Sequence, residues 1–443
     1  MPTTTRVKPS GKLAIPAPAP IVLHGLDFLP PPIYIRLHFF FLPDKTKSDT
    51  VDHLKTSLAD VLDFYPPIAG SLRPGENGKL TLYCDGRGVD FLHQNVSYAY
   101  QDVPGGDSEV LGPQIELKGD QPLLAAKVTT FSCGTIALCL SMYHLVSDLQ
   151  GYLDFLFTWA KIARGESIAP SSVPRTWART PLQYFAEIST PPFSSLPGYT
   201  VLDAPPPPPP GPPKPAAQIR YFVSDNNLKA LKADCKPRTD TDGVPWISSG
   251  DALTALLWRA STRCRHGVGA KNEERDILGM AVDGRDRSQG KGMMNGQYFG
   301  NFIVGAALEL PTDTLLRKGT DGLSQVASAI RKGLTEQTTP EIIKAKVEFI
   351  QSVEPCGRLM QQYDTMLSNW SRFPLTGPSL DFGWGVPTGY AIGDTPFPAG
   401  VLSILGAKGG LLCVLAVEEE AAELARSDEE LLKYGEFVSR WII

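Results

Sequence analysis

From Thr135 to Tyr143 the sequence TIALCLSMY is a nearly unbroken run of apolar and small residues. Beyond it, apolar residues recur as Leu149, Tyr152, Leu153, Leu156, Trp159, Ala160 and Ala163. The first run predicts a buried strand, because a strand covered on both faces has no need of polar alternation. The second has the three-and-four spacing of a helix face, and Gly165 stands where the helix would end. PLLAAKVTTF and the turn residues SCG upstream predict a hairpin partner for the strand. Earlier still, HLKTSLADVLDFY places Leu54, Leu58, Val61, Leu62 and Tyr65 on one helical face before Pro66 and Pro67 end it, and KLTLYCDG alternates like a strand running into a turn.

The same alternation of elements continues in the second half. SSGDALTALLWRAS and GLSQVASAIRKG predict helices, and GLLCVLAVE predicts a buried strand. SDEELLKYGEFVSRW predicts a helix opened by Ser427 and Glu430 at capping-box spacing. Between the halves lies APPPPPPGPPKPAAQ, residues 204 to 218, which can enter neither a helix nor a central strand and acts as a stiff spacer. The pattern is that of two mixed α/β domains rather than a strict repeat of strand and helix. No GxGxxG and no GxSxG occurs, and GRDRSQGKG near Gly284 has the wrong spacing for a phosphate loop.

Composition narrows the partners. The 443 residues are 42% hydrophobic and 20% charged with a net charge of -5, which gives no basis for nucleic acid or an anionic membrane surface as partner. The proline-interrupted N-terminus has no basic-then-apolar leader pattern, and no run approaches the ~18 apolar residues of a membrane helix, so a cytoplasmic protein is expected. The seven cysteines form no CxxC pair, and the six histidines form no HExxH, so neither a disulfide framework nor a metal site is expected.

His144 stands where the apolar strand stops and the amphipathic helix starts, within HLVSD. Such a joint lies at the end of a sheet and is held by rigid elements on both sides, which suits a catalytic group. It equally suits a satisfied buried histidine, with Ser147 or Asp148 capping the helix that follows.

HLVSD in the first half, DFGWG at residues 381 to 385 in the second, and the proline-rich divide between them resemble, in that order and separation, the BAHD family of acyl-CoA-dependent acyltransferases. The resemblance covers nearly the whole chain, through SLADVLDFYPPIAGSL, PLLAAKVTTFSCG, AVDGRDR, YFGNF and SNWSRFP. It implies an α/β fold of two domains of the chloramphenicol-acetyltransferase type with a channel between them. Residues 1–200 would form the domain bearing HxxxD, 201–218 the crossover, and 219–443 the domain bearing DFGWG. It further implies a monomer that binds no cofactor permanently and uses acyl-CoA, acetyl-CoA first, as co-substrate. The acyl group would pass without an acyl-enzyme to a hydroxyl or amine of a small specialised metabolite.

On this resemblance His144 is the general base facing the channel, and the Trp370 indole N–H, with Ser368 beside it, is the donor for the oxyanion. Asp148 turns away from the channel and pairs with Arg285, Arg287 being the competing partner. Asp381, Gly383 and Gly385 form a structural turn. Tyr298 and Asn301 of YFGNF stand at the channel wall. Ser248 and Ser249 precede a helix start where backbone N–H groups favour a phosphate, although a capping serine would look the same. Two positions depart from the family pattern: Leu149 follows the aspartate where many members have glycine, and Phe302 ends YFGNF where one subgroup has cysteine. Alternatives are a condensation-type transferase fed by a carrier-protein thioester, which carries a doubled histidine where Tyr143 stands here, and a catalytically silent binding homologue.

Overall fold

The strand Ile136–Tyr143 is buried at every position, as its unbroken apolar run predicts, and it lies near the centre of a six-stranded sheet. In this computed structural model, residues 2–13, 17–42, 50–76, 78–103, 111–113, 115, 119–169, 173–174, 177–190, 195–207, 216–238, 243–287, 298–392 and 397–438 are described. The sheet runs Thr3–Val7, Val89–Asn95, Leu124–Thr130, Ile136–Tyr143, Tyr34–Phe41, Gly389–Ile392. The predicted hairpin with Leu124–Thr130 is present, antiparallel, and its turn has Gly134 at φ 88°. Helices Thr50–Phe64 and Leu149–Ala163 share one core with this sheet, and the Trp159 indole donates to Ser57 Oγ at 3.0 Å to tie the two together. The sheet's other side is covered by a smaller cluster around Phe40, Phe131 and Ala137, so the central strand meets apolar surface on both faces.

A seven-stranded sheet forms the second layer, in the order Ile303–Pro311, Arg275–Asp283, Thr365–Asn369, Val401–Ala407, Gly410–Glu418, Ala216–Ser224, Glu436–Phe437. Its core includes helices Ser249–Gly267 and Thr320–Gln337. Among the described residues no helix is long and apolar enough to cross a membrane.

Three details differ from the reading of the sequence. The final helix, Glu429–Tyr434, is capped by Asp428, whose side chain accepts from Leu431 N; Ser427 instead donates its hydroxyl to Glu423 O at the end of the helix before. An aspartate one residue on supplies the same acceptor, and Glu430 is drawn to Arg259 and Arg263. The proline-rich segment is flanked by structure sooner than its composition suggests: Tyr199–Val201 pairs with Leu359–Gln361, and the strand Ala216–Ser224 begins inside the span assigned to the crossover. Residues 208–215 of that run lie outside the described residues. The second half also returns a strand, Gly389–Ile392, to the first sheet, where it pairs with Tyr34–Phe41. DFGWG, just before it, packs with the first core and not with the second: Phe382 and Trp384 are both buried there, and Phe382 meets Trp159 edge-on at 5.2 Å.

Candidate active site

His144 is the first residue past the strand Ile136–Tyr143. Its backbone N–H donates to Ile33 O at 2.8 Å, and the chain turns at once, with Val146 N donating to Tyr143 O. Four residues on, Asp148 takes the N-cap position of the helix Leu149–Ala163 and accepts from Gly151 N at 3.3 Å. The histidine is thus held on one side by the sheet ladder and on the other by a capped helix.

Asp148 does far more than cap. Arg285 grips it with two nitrogens, Nη1 to Oδ2 at 2.8 Å and Nη2 to Oδ1 at 3.0 Å, and both side chains are almost fully enclosed. Phe302 N donates to the same carboxylate at 2.8 Å. Burial works against the Arg285 charge, but Asp148 and then Asp283 more than offset it, so its pKa is raised. The rival arginine, Arg287, is exposed and makes no ion pair among the described residues.

YFGNF is the hub of this region. Phe299 O accepts from Arg179 Nη1, and Gly300 O accepts from Arg285 Nη2 at 2.8 Å and from Ser147 Oγ at 3.3 Å. Gly300 has φ 155°, and a Cβ built there would collide with the Arg179 guanidinium, so the position is restricted to glycine. Tyr298, expected at a channel wall, is instead buried, its ring beneath Arg285 at 5.5 Å and its hydroxyl 3.5 Å from Asn301 O.

Asn301 reaches His144 directly, with Oδ1 3.1 Å from the ring Nδ1. Its amide nitrogen donates to Asp27 Oδ1 at 3.0 Å and to His144 O at 2.8 Å, and its backbone N–H donates to Asp27 as well. With both amide hydrogens given to acceptors, the amide oxygen must face the ring, so Nδ1 carries the hydrogen and Nε2 is left with its lone pair. Burial lowers the His144 pKa below its ordinary 6.5, against weaker upward pulls from its backbone, Asp148, Asn301 and Asp27. The ring is neutral at pH 7.

Asp27 and Arg179 were not singled out from the sequence. Both are enclosed: Arg179 Nη2 donates to Val146 O at 2.6 Å, and Nε lies 3.6 Å from Asp27. The signal available for Asp27 was local, a capping box in HGLD where His24 Nδ1 accepts from Leu26 N and Asp27 accepts from His24 N.

Trp370 and Ser368 are joined to each other, the indole Nε1–H donating to Ser368 Oγ at 2.8 Å. The indole donor is therefore occupied, and Ser368 keeps a hydroxyl hydrogen to give elsewhere. On the strand Thr365–Asn369 side chains alternate between faces. Leu367 and Asn369 line a cavity of about 880 Å³, while Trp370 packs with the first core. Ser248, Ser249, Arg287, Arg331 and Arg372 also line that cavity. Ser248 is a helix cap in full, with its Oγ accepting from Asp251 N and from Arg331 Nη2. Arg331 is neutralised by Asp251, whereas Arg287 and Arg372 make no ion pair among the described residues. A second cavity, about 1000 Å³, lies against the turn Gly25–Phe28 and is lined in part by His24, Trp177 and Arg179 but not by His144.

In DFGWG, Asp381 Oδ1 accepts from Gly383 N at 2.7 Å and Gly385 N at 3.0 Å, and both glycines have positive φ, 94° and 107°. The motif is a side-chain-closed turn that lines neither cavity.

A family model described as the transferase family matches residues 2–421. The chain belongs to that family. Its members include the acyl-CoA-dependent acyltransferases that HLVSD and DFGWG resemble. The transferase is 27% identical over 404 residues to a hydroxycinnamoyltransferase of Narcissus pseudonarcissus, covering 87% of this chain and 88% of the relative. It is 28% identical over 412 residues to alcohol acyltransferase 17 of Actinidia deliciosa, covering 88% and 83%. Among solved structures it is similar to vinorine synthase, with a TM-score of 0.72 at 20% identity over 98% of each chain. It is also similar to F. graminearum TRI101 solved with coenzyme A and T-2 mycotoxin, with a TM-score of 0.76 at 14% identity over 95% of this chain and 100% of that one. The fold is thus the two-domain α/β arrangement expected from the sequence.

Two consequences for the transferase can be measured. In Asp148→Asn and Arg285→Gln each change strands a buried charge, at a cost of ~3–5 kcal/mol. Asp283, 3.2 Å from Arg285, sets the cost of Asp148→Asn toward the lower end. In a denaturant-unfolding cycle the double variant should lose less than the sum of the singles, with ~0.5–3 kcal/mol of coupling; additive losses would remove the pair as the tie between the halves. The second consequence concerns pH. The folded His144 pKa lies below the unfolded 6.5, so the unfolded chain binds the extra proton in that interval. The His144 contribution to stability is then lost as pH falls below about 6.5, and His144→Phe should flatten that part of the stability profile.

Proposed function

We propose that the protein transfers an acyl group from acyl-CoA to a hydroxyl or amine of a small specialised metabolite, with His144 as the general base. One observation carries the reading: Asp27 and the His144 carbonyl fix the Asn301 amide, which fixes Nδ1–H and leaves Nε2 free to accept the acceptor's proton. A neutral imidazole at pH 7 suits that step. Attack on the thioester builds negative charge on its oxygen, and the Ser368 hydroxyl, polarised by the Trp370 indole at its oxygen, is the donor we assign to it. Proton and electrons balance without a covalent enzyme intermediate: Nε2 takes the proton from the nucleophile, the tetrahedral centre collapses, and the departing thiolate takes the proton back.

The donor's phosphates belong in the 880 Å³ cavity, where Arg287 and Arg372 make no ion pair among the described residues and the helix from Ser249 begins. We keep acetyl-CoA as the first donor to try. Hydroxycinnamoyl-CoA stands beside it, because several similar proteins are named for that group. We place the crossover between the two halves at 201–218, and Asp148 and Arg285 act on His144 only by holding the turn that carries it.

The deciding assay offers free acyl-CoAs and carrier-bound acyl thioesters with a panel of alcohols and amines, and reads new esters or amides by mass. Turnover of the carrier thioesters alone would overturn the donor assignment. His144→Ala, still folded, should lose about 10²–10⁴-fold in turnover; a loss under tenfold would show another base. The acid limb of kcat/KM should bend below pH 6.5, because the base's pKa is lowered from that value. Asp27→Asn should move that limb and lower kcat, since the replacement amide can turn a donor toward Asn301 and release its orientation; an unchanged profile would separate Asp27 from the base.

A further inference from the structure

Trp246 is 55% exposed, the one large aromatic so exposed among the described residues, and it packs on Arg331, a residue that lines the cavity assigned to the donor. One face of its ring is covered by the Arg331 guanidinium, 4.3 Å from the centroid. Arg331 is itself locked, Nε to Asp251 Oδ2 at 2.8 Å and Nη2 to Ser248 Oγ at 3.0 Å, and both Arg331 and Ser248 line the cavity. The ring is therefore held in place from one side with its other face open, next to a cavity also lined by Arg287 and Arg372, which make no ion pair among the described residues. A ligand suited to this surface carries a flat aromatic group and phosphates within a few bonds of one another. The nucleotide end of CoA does; its pantetheine arm has neither.

We propose that Trp246 is the stacking platform for the adenine of the acyl-CoA donor and so a residue that selects for the nucleotide end of the molecule. This rests on the assignment of the cavity to the donor. Stacking of a base on an aromatic side chain is sequence-tolerant and substantial, and a ring already fixed by Arg331 loses little freedom on binding. Asp251, the acid nearest the arginine, is already satisfied by Arg331 and by Ser248 N, and leaves no free carboxylate to repel phosphate from that side.

The test measures binding of CoA, adenosine 3′,5′-bisphosphate and pantetheine by calorimetry to the whole protein and to Trp246→Ala and Trp246→Phe. Trp246→Ala should weaken CoA and the bisphosphate about tenfold, within the roughly 5- to 150-fold span that base stacking gives, while Trp246→Phe keeps most of the affinity. In turnover, the ratio of kcat/KM for acetyl-CoA to that for acetyl-pantetheine should fall by the same factor in Trp246→Ala. CoA bound by both proteins within twofold overturns the platform and leaves the donor cavity standing. Pantetheine weakened as much as CoA also overturns it, by showing that the ring acts elsewhere on the donor. Failure of the wild-type protein to bind CoA at all overturns the cavity's assignment, and the platform with it.

Discussion

The Asp148 carboxylate is the group on which the site depends. It ends a sheet-borne turn, caps the helix behind it, and is closed by Arg285 and by the backbone of Phe302, residues more than a hundred positions away in the chain. Taking a carboxylate and a guanidinium out of water is costly, and a buried pair often does no better for stability than well-packed apolar groups would. What it contributes is geometry. A bidentate fork fixes distance and plane together, so YFGNF can meet the end of the first sheet in only one way. With that contact made, Gly300 O and Phe302 N are placed, and Asn301 between them has its side chain delivered to His144.

The elements that hold His144 were legible because they are local. A continuous apolar run, a helical stripe and an aspartate at the joint describe the strand, the helix and its cap without reference to the rest of the chain. Arg285 and Asn301 came from resemblance and not from spacing, since nothing in the residues between 149 and 284 shows which arginine returns to Asp148. Asp27 was illegible for a further reason. In the sequence it is one carboxylate in a short capped turn, and its second role exists only once Asn301 has arrived against it. The same holds for the strand Gly389–Ile392, whose four residues carry no sign of the sheet they will join. Ser427 shows the opposite failure: a local motif read correctly as a cap signal, and displaced by a neighbour that satisfies the same backbone donor.

The strand Thr365–Asn369 presents its two faces to different surroundings. Period-two alternation sends Leu367 and Asn369 to the arginine-lined cavity and the next residues toward the first core, where Trp370 leans on Ser368. On the proposed function, the donor's phosphates bind on one face of this strand and Ser368 acts from the other, with no moving part required. The expectation of a free indole donor overlooked how short the step between Ser368 and Trp370 is; a hydroxyl two residues away is the nearest acceptor an indole N–H can find.

On the proposed function, the partner of Nδ1 also sets what kind of base His144 is. In a serine-type triad a carboxylate sits there and stabilises the imidazolium as it forms. Here the partner is a neutral amide, and the nearest carboxylates are spent: Asp27 on Asn301, Asp148 on Arg285. The amide fixes the tautomer and favours the charged state less than a carboxylate would, so burial prevails and the pKa is lowered. A weak base is no handicap on the proposed route. The imidazolium formed during attack has a pKa below 6.5, whereas an ordinary thiol has one of about 8.5, so the proton moves downhill from the ring to the departing thiolate. A carboxylate at Nδ1 would strengthen the first proton transfer and slow the second. The Asn301 amide balances the two, and the Asp148 charge, tied to Arg285, adds only an upward pull on the ring that burial outweighs.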